Sequence, residues 1–233
     1  MKLAIMQPYF FPYIGYFQLI HAVEEFVVYD QIEYTKRGWI NRNRILLNGN
    51  VVHITLPLKS DSDHLNINDR FLSASWNRDR RKLINRVTEA YRRAPQFDSV
   101  FPLVEKCLLF EETNLFAFLF NALKLTNEYL GISTKLRVSS TIGYEAELKG
   151  EAKIISLSKA VGAETYINPI GGRELYSKER FNFHGLDLKF LESRSIEYEQ
   201  LQSHFVPSLS VIDVMMFNPT EEVRRFLDEF NLV

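Results

Sequence analysis

The residues between Lys36 and Arg44 have side chains suited to binding an anion. Four cations and two amides occur within these nine positions, together with a glycine and a tryptophan. Arginine offers a planar fork of donors to phosphate or carboxylate, lysine offers a point charge, and an indole face can stack on a ring. We predict an anion-binding loop; the alternative is a solvated edge strand. The candidate substrate-binding residues are Lys36, Arg37, Trp39, Asn41, Arg42 and Arg44, with Lys59 further along the chain.

A loop rich in tyrosine and proline occupies residues 7–16, between a short apolar run and a helical pattern. Its two prolines stiffen the chain, and Gly15 permits close approach of a backbone or a ligand. Gln7, Tyr9 and Tyr13 are candidate contacts for a sugar or a base, through ring faces and polar atoms. The alternative is an aromatic plug that fills the core beneath a sheet.

Three residues are candidates for catalysis. Asp30 follows an apolar run and is placed like a catalytic or ribose-binding acid. His53 interrupts an apolar strand, where a structural histidine is the default interpretation. Asp213 lies within an apolar helical run and needs a partner, because burial of an unpaired carboxylate is costly. It either orients a histidine or arginine of the site or forms a structural pair.

Residues 168–176 follow a predicted strand and contain a glycine pair. Backbone N–H groups at such a turn can bind a phosphate or a carbonyl oxygen. Asn168, Gly171 and Gly172 are therefore candidate binding residues, although a plain tight turn is an equal alternative.

The elements that position these residues alternate between strands and helices at both ends of the chain. A strand, a helix and a strand in succession predict a βαβ unit with parallel strands. The predicted strands are residues 2–6, 26–29, 134–139, 165–167 and 186–191, with helices from about residue 13, over 151–161 and over 218–230.

The middle of the chain has a different pattern. Asn48-Gly49 between two apolar runs predicts a β-hairpin over residues 45–56. Helices are predicted over 76–93, 99–110 and 113–130. We therefore expect an α/β, mainly parallel Rossmann-like sheet from residues 1–35 and 132–233, with C-terminal helices. The hairpin and helical lobe of residues 36–131 would be inserted in it.

Composition and charge favour a small anionic ligand. The formal net charge of the 233 residues is −1, yet residues 36–93 hold 13 Lys and Arg against 5 Asp and Glu. A basic segment in a neutral protein indicates an anionic small molecule rather than a nucleic acid. The single cysteine, Cys107, and the lack of a long apolar run predict a soluble, cytoplasmic protein without membrane insertion. No metal-ligand spacing or cofactor signature occurs, so the cofactor and the oligomeric state stay open.

Four long motifs together resemble the WbqC-like family across essentially the whole chain. They are MQPYFFPYIGYFQLI (6–20), KRGWINRNRI (36–45), YINPIGGRELY (166–176) and LSVIDVMMFN (209–218). The resemblance implies an association with bacterial O-antigen and related polysaccharide clusters. One proposal for that family is glycine (aminoacyl) transfer to an amino sugar. No residue roles come with the resemblance.

The resulting hypothesis is an acyl or aminoacyl transferase that uses a nucleotide-linked amino sugar. Asp30 or His53 would act as the base, and the glycine pair after residue 170 would offer an oxyanion site. One alternative is a nucleotidyltransferase-like protein that activates a carboxylate with ATP. Another is a non-catalytic binding module. All depend on the cationic segment and the tyrosine-rich loop meeting in one cleft.

Overall fold

The computed structural model describes residues 1–145, 147–201 and 204–233. The strands in these ranges are β1 Lys2–Met6, β2 Glu25–Val28, β3 Arg42–Leu47, β4 Asn50–Thr55, β5 Lys135–Val138, β6 Thr165–Pro169, β7 Asp187–Ser193 and β8 Phe230–Leu232. The α-helices are α1 Ile14–His21, α2 Trp76–Tyr91, α3 Phe97–Leu108, α4 Leu115–Leu130, α5 Gly150–Ala160, α6 Lys178–Phe183, α7 Val211–Phe217 and α8 Thr220–Phe226.

Six strands form the central sheet in the order β5-β2-β1-β6-β7-β8. The first five are parallel, and β8 pairs antiparallel with β7 at the edge. Counted along the chain, the parallel strands have the spatial order 3-2-1-4-5 of a doubly wound Rossmann-like sheet. The predicted fold class is therefore confirmed. The strand order reverses between β1 and β6, where ligands bind outside the carboxyl ends of the strands in such sheets.

The first strand shows why the sheet forms. Leu3, Ala4 and Ile5 are almost completely buried. Ala4 packs in the core that contains α1 and the helices after the hairpin, whereas Leu3 and Ile5 pack in the core that contains α5 and α6. A continuous apolar run is what a parallel strand covered on both faces requires.

The predicted hairpin is confirmed as β3 and β4. Asn48 and Gly49 have φ values of 50° and 77°, the left-handed conformation that this two-residue turn requires. β3 begins at Arg42 and includes both of the arginines that alternate along it, Arg42 and Arg44.

The three helices after the hairpin share a hydrophobic core with one face of the sheet. Trp76 of α2 meets Phe118 of α4 edge to face, with ring centroids 5.3 Å apart. Both residues belong to the same buried cluster as Phe26 of β2. The division of the chain into a sheet core and an inserted lobe stays a prediction. Within the described ranges, no helix has the length and apolar character needed to cross a membrane.

The end of the chain differs from expectation. The prediction of a final helix reaching residue 230 is wrong, because α8 ends at Phe226 and Phe230 begins β8. Phe230 pairs with Ser193, and Leu232 pairs with Leu191 at the edge of the sheet. Backbone pairing to β7 thus determines the conformation of this segment.

Candidate functional site

The tyrosine-rich loop after β1 and the cationic segment that leads into β3 meet at one cleft. The Phe10 backbone N–H donates to the Trp39 carbonyl at 3.2 Å. Asn43 Nδ2 donates to the carbonyls of Phe10 at 3.1 Å and Phe11 at 2.7 Å. The cleft has a volume of about 290 Å³, and we call it the tyrosine–arginine cleft. Its lining residues are Tyr9, Pro12, Tyr13, Trp39, Asn43, Arg44 and Ser208.

Tyr9 lines this cleft, and its hydroxyl donates no hydrogen bond to the described residues. Gln7 Nε2 donates to the Tyr9 hydroxyl oxygen at 2.8 Å, and the Tyr16 hydroxyl donates to the Gln7 carbonyl at 3.0 Å. Burial raises the pKa of Tyr9. The pKa of Tyr13 is also raised, mainly by burial and to a smaller extent by the nearby Tyr9. Both phenols therefore stay neutral near pH 7, and Tyr9 can donate a hydrogen bond to a ligand.

Gly15 allows the Tyr13 ring to lie against the start of α1. A Cβ atom at position 15 would lie 2.3 Å from Tyr13 Cε2 and 2.8 Å from Ser193 Oγ. A side chain here would have to displace the ring, so glycine determines the shape of this wall.

Arg44 is the only residue with a formal charge among the described lining residues. Its Cζ lies 5.4 Å from the centroid of the Trp39 ring, and its Nη2 donates to the Ser208 carbonyl at 2.9 Å. Its Nε is buried without a hydrogen-bond partner among the described residues. Stacking on Trp39 and the bond to Ser208 fix the orientation of the guanidinium.

Two residues at this site have a strained backbone. Phe11 and Ser208 have φ values of 41° and 55° although neither is glycine. Such conformations cost on the order of 1–3 kcal/mol and persist where surrounding contacts enforce them. Ser210 supplies two of these contacts, from its Oγ to the Phe11 carbonyl at 2.8 Å and from its N–H to the Arg44 carbonyl at 2.9 Å.

Arg42 and His53 support Trp39 without lining the cleft. Arg42 Nε donates to the Gly38 carbonyl at 3.1 Å and its Nη2 to the Arg37 carbonyl at 2.8 Å, so its guanidinium holds the preceding loop. The Arg42 Cζ lies 5.8 Å from the Trp39 centroid. The His53 ring is stacked near Trp39, with centroids 6.4 Å apart and planes inclined by 13°.

The other cations of the segment are exposed on the surface. Lys36 Nζ lies 2.8 Å from Asp63, and Lys59 Nζ lies 3.5 Å from Asp61. Arg37 is exposed and contributes its carbonyl to the loop. Exposed ion pairs of this kind contribute little to stability. None of these three cations lines the cleft in the described structure.

Asn41 is buried and joins Tyr34, which follows β2, to Leu56, which follows β4. The Tyr34 hydroxyl donates to Asn41 Oδ1 at 2.8 Å, and Asn41 Nδ2 donates to the Leu56 carbonyl at 2.8 Å. Its amide is thus used within the protein.

Asp30 lies at the carboxyl end of β2, outside the cleft. Its Oδ1 accepts hydrogen bonds from Ser139 Oγ at 2.5 Å and from the Ser140 N–H at 2.9 Å. Its Oδ2 accepts from Asn68 Nδ2 at 3.0 Å. The carboxylate therefore joins the sheet to the segment before α2, and both of its oxygens are occupied.

Asp213 is completely buried in α7. Its Oδ1 accepts from the Tyr198 hydroxyl at 2.7 Å and from Gln200 Nε2 at 2.9 Å, and its Oδ2 accepts from the Tyr91 hydroxyl at 2.9 Å. No histidine or arginine is among these partners. The geometry therefore matches the structural alternative for this residue.

The turn after β6 lies at the carboxyl end of an interior strand, and none of its described residues lines the tyrosine–arginine cleft. The Tyr166 hydroxyl donates to Asn168 Oδ1 at 3.1 Å. A Cβ atom at Gly172 would lie 2.1 Å from Asn168 Nδ2, whereas no heavy atom lies within 4 Å of one at Gly171. Gly172 thus accommodates Asn168, and the surroundings of Gly171 are open.

Asn43 and Ser208 line the cleft but are not among the predicted binding residues. Asn43 carried a usable signal, because in a strand with alternating arginines its amide must face the opposite, apolar side and needs partners there. Ser208 carried none, since no local pattern connects it to Arg44 across the fold.

The fold and the site define a doubly wound α/β protein with an aromatic cleft that contains one arginine. The model of the WbqC-like protein family matches residues 7–225, and the chain belongs to that family. It is 30% identical over 230 residues to the uncharacterized protein Rv1507c of Mycobacterium tuberculosis, covering 97% of each chain. No solved structure matches.

Proposed function

We propose that the tyrosine–arginine cleft binds a small phosphate-bearing molecule that contains a sugar or base ring. We further propose that the chain is a transferase, which moves an acyl or aminoacyl group such as glycine to a nucleotide-linked amino sugar in surface-polysaccharide synthesis. The observation that supports binding is the meeting of Tyr9, Tyr13, Trp39 and Arg44 at one cleft.

Arg44 accounts for the preference for an anion. One hydrogen bond and one aromatic face hold the guanidinium in place, so little conformational entropy is lost when it binds a ligand. The start of α1 adds a partial positive charge at the same cleft. The first N–H groups of this helix donate no hydrogen bond to the side chain of the N-cap residue, Tyr13.

The aromatic residues account for the preference for a ring. Trp39 and Tyr13 are each 37% exposed, and Tyr9 contributes a hydroxyl donor. A volume of about 290 Å³ is near the lower end of small-molecule sites, roughly 300–1,000 Å³. Such a cleft fits a sugar or one base with its phosphate rather than a polymer.

The transfer step rests on the resemblance described above. In that step the amine nitrogen attacks the acyl carbon, a C–N bond forms, and the bond to the leaving group breaks with its electron pair. A base must accept the amine proton. Of the two proposed bases, His53 is the better placed, because it is exposed beside Trp39 while both oxygens of Asp30 are occupied.

One observation favours a second candidate, a non-catalytic binding module. No Asp, Glu or His is among the described lining residues of the tyrosine–arginine cleft. A binding function needs no such group.

Tryptophan fluorescence tests the binding site directly. The chain has two tryptophans, of which Trp39 lines the cleft and Trp76 is only 4% exposed. A bound nucleotide-linked amino sugar should change the Trp39 signal, and Trp39→Phe should abolish that change. Arg44→Met should raise the Kd at least tenfold, because a charge-assisted hydrogen bond contributes about 1.5–3 kcal/mol.

Arg81→Met is the matched control, since Arg81 is exposed on α2 outside the cleft. Equal affinity of the Arg44→Met and wild-type proteins would exclude the proposed site. Turnover of a bound amino sugar with an acyl donor would separate the transferase from the binding module.

A further inference from the structure

A second cleft lies outside the carboxyl ends of the parallel strands. It has a volume of about 550 Å³ and is formed by residues after β2, by the start of α5 and by residues after β6. We call it the strand-edge cleft. It shares no described lining residue with the tyrosine–arginine cleft. Its lining includes Tyr29, Glu33, Lys149, Glu151, Lys153 and Tyr176.

The position of this cleft follows from the strand order. β2 and β6 are the two neighbours of β1, so segments that follow them approach each other across the end of β1. The strand order reverses at this point, and doubly wound sheets open a crevice there. The fold therefore provides an opening that the tyrosine-rich loop does not fill.

The described lining of the strand-edge cleft contains two lysines and two glutamates. Neither Lys149 nor Lys153 has a carboxylate within 4 Å among the described residues, and Lys153 Nζ lies 5.8 Å from the centroid of the Tyr29 ring. Glu151 also lines this cleft, but its carboxylate already has two partners. Arg180 Nε lies 3.0 Å from it, and the Ser177 N–H donates to it at 2.6 Å.

Glu33 is the other acid in the lining. It is exposed and lies 3.9 Å from His64, so solvent screens its charge. Solvent screens the exposed Lys149 in the same way, but Arg180 pairs with Glu151, so the two lysines and this arginine outnumber the two acids of the described lining by one and favour an anion.

The walls of the cleft are suited to a ring. Ile32, Leu148, Ile154 and Leu175 supply apolar surface. Tyr176 adds a ring and a hydroxyl that stays protonated, because burial raises its pKa. The cleft thus combines cationic side chains with apolar and aromatic surface, as a ligand with a ring and a phosphate requires.

We propose that the strand-edge cleft binds a nucleoside phosphate. The phosphates contact Lys149 and Lys153, and the base lies against the apolar wall that includes Leu175. The first N–H groups of α5 lie beside these lysines and add a partial positive charge, since Lys149 at the N-cap makes no capping bond through its side chain. This inference goes beyond the function proposed above, because it concerns a separate set of residues.

The test is a calorimetric titration of the 233-residue chain with ADP, with inorganic pyrophosphate and adenosine as partial probes. We expect ADP to bind more tightly than either part. Lys149→Met combined with Lys153→Met should weaken ADP binding at least tenfold. Lys159→Met is the matched control, because Lys159 lies on the last turn of the same helix and outside this cleft.

Arg44→Met separates this inference from the proposed function, and it should leave the ADP affinity within twofold of wild type. Absence of ADP binding at millimolar concentration would overturn the proposal. So would equal affinity in the double lysine variant, provided that thermal unfolding shows it to be folded. If nucleotide-linked amino sugars leave Trp39 fluorescence unchanged while ADP binding still depends on the lysines, only the function proposed for the tyrosine–arginine cleft fails.

Discussion

At the scale of single residues, Gly15 determines one wall of the tyrosine–arginine cleft. Alanine usually stabilises a helix relative to glycine, by about 1 kcal/mol. Here its Cβ would lie 2.3 Å from the Tyr13 ring, which must then move. We expect Gly15→Ala to weaken ligand binding about fivefold, since a lost aromatic contact is worth about 1 kcal/mol.

A titration of Trp39 fluorescence measures this effect. The control is Gly143→Ala, where no heavy atom lies within 4 Å of the added Cβ. Retention of full affinity by Gly15→Ala would mean that the position of the Tyr13 ring does not matter for binding.

Residue type was enough to predict the aromatic and cationic side chains of the site. Tyr9, Trp39 and Arg44 were selected by residue type, and the structure brings all three to one cleft. Whether they bind the proposed ligand stays a prediction. Residue type alone could not show that the Arg42 guanidinium donates to two backbone carbonyls, because its hydrogen-bond partners depend on the path of the loop.

At the scale of elements, the glycine after α4 is required by its backbone conformation. Gly131 has φ of 70°, and the Arg224 guanidinium lies 2.6 Å from the position of an added Cβ. That arginine donates from Nε to the Leu130 carbonyl at 2.9 Å, which joins the end of α4 to α8. We expect Gly131→Ala to lower the free energy of unfolding by about 2–3 kcal/mol, from left-handed strain plus a disturbed hydrogen bond.

Gly162→Ala is the matched control for this variant. Gly162 has φ of 73° and no heavy atom within 4 Å of an added Cβ, so only the backbone strain of about 1–2 kcal/mol applies. Urea unfolding of both variants measures the difference. If both variants lose the same free energy of unfolding, the contact with Arg224 contributes nothing to the effect of Gly131→Ala.

Local patterns predicted most elements but not the last strand. Asn48-Gly49 specifies its turn through two residues that tolerate positive φ, so the hairpin could be identified without tertiary information. β8 has three residues, and its pairing partner, β7, ends at Ser193. A segment this short has no periodicity of its own, and only the neighbouring strand determines its conformation.

At the scale of the whole molecule, the order of the strands places two clefts beside one sheet. The loop after β1 contributes to the tyrosine–arginine cleft, and segments after β2, β5 and β6 form the strand-edge cleft. Neither cleft could be located from one sequence segment alone, because each is formed by segments that are distant along the chain.

Asp213 connects distant parts of this molecule. It joins Tyr91 at the end of α2 with Tyr198 and Gln200, which follow β7. Burial raises the pKa of Asp213 above its ordinary value of 3.8, although the three hydrogen bonds act in the opposite direction. The folded state therefore retains the proton of this carboxyl group more strongly than the unfolded chain does.

This difference predicts how stability depends on pH. Below pH 3.8 the carboxyl is protonated in both states, and above it the unfolded chain ionises first. The folded state then binds more protons, so the contribution of Asp213 to stability falls as the pH rises until its folded pKa is passed. Asp213→Asn cannot ionise at this position and is the reference for this effect. In urea unfolding, the stability of wild type relative to Asp213→Asn should fall as the pH rises and then become constant. Asp98→Asn, which removes an exposed acid instead of the buried one, is the matched control. A relative stability that rises with pH would instead mean that the hydrogen bonds outweigh the cost of burying the charge.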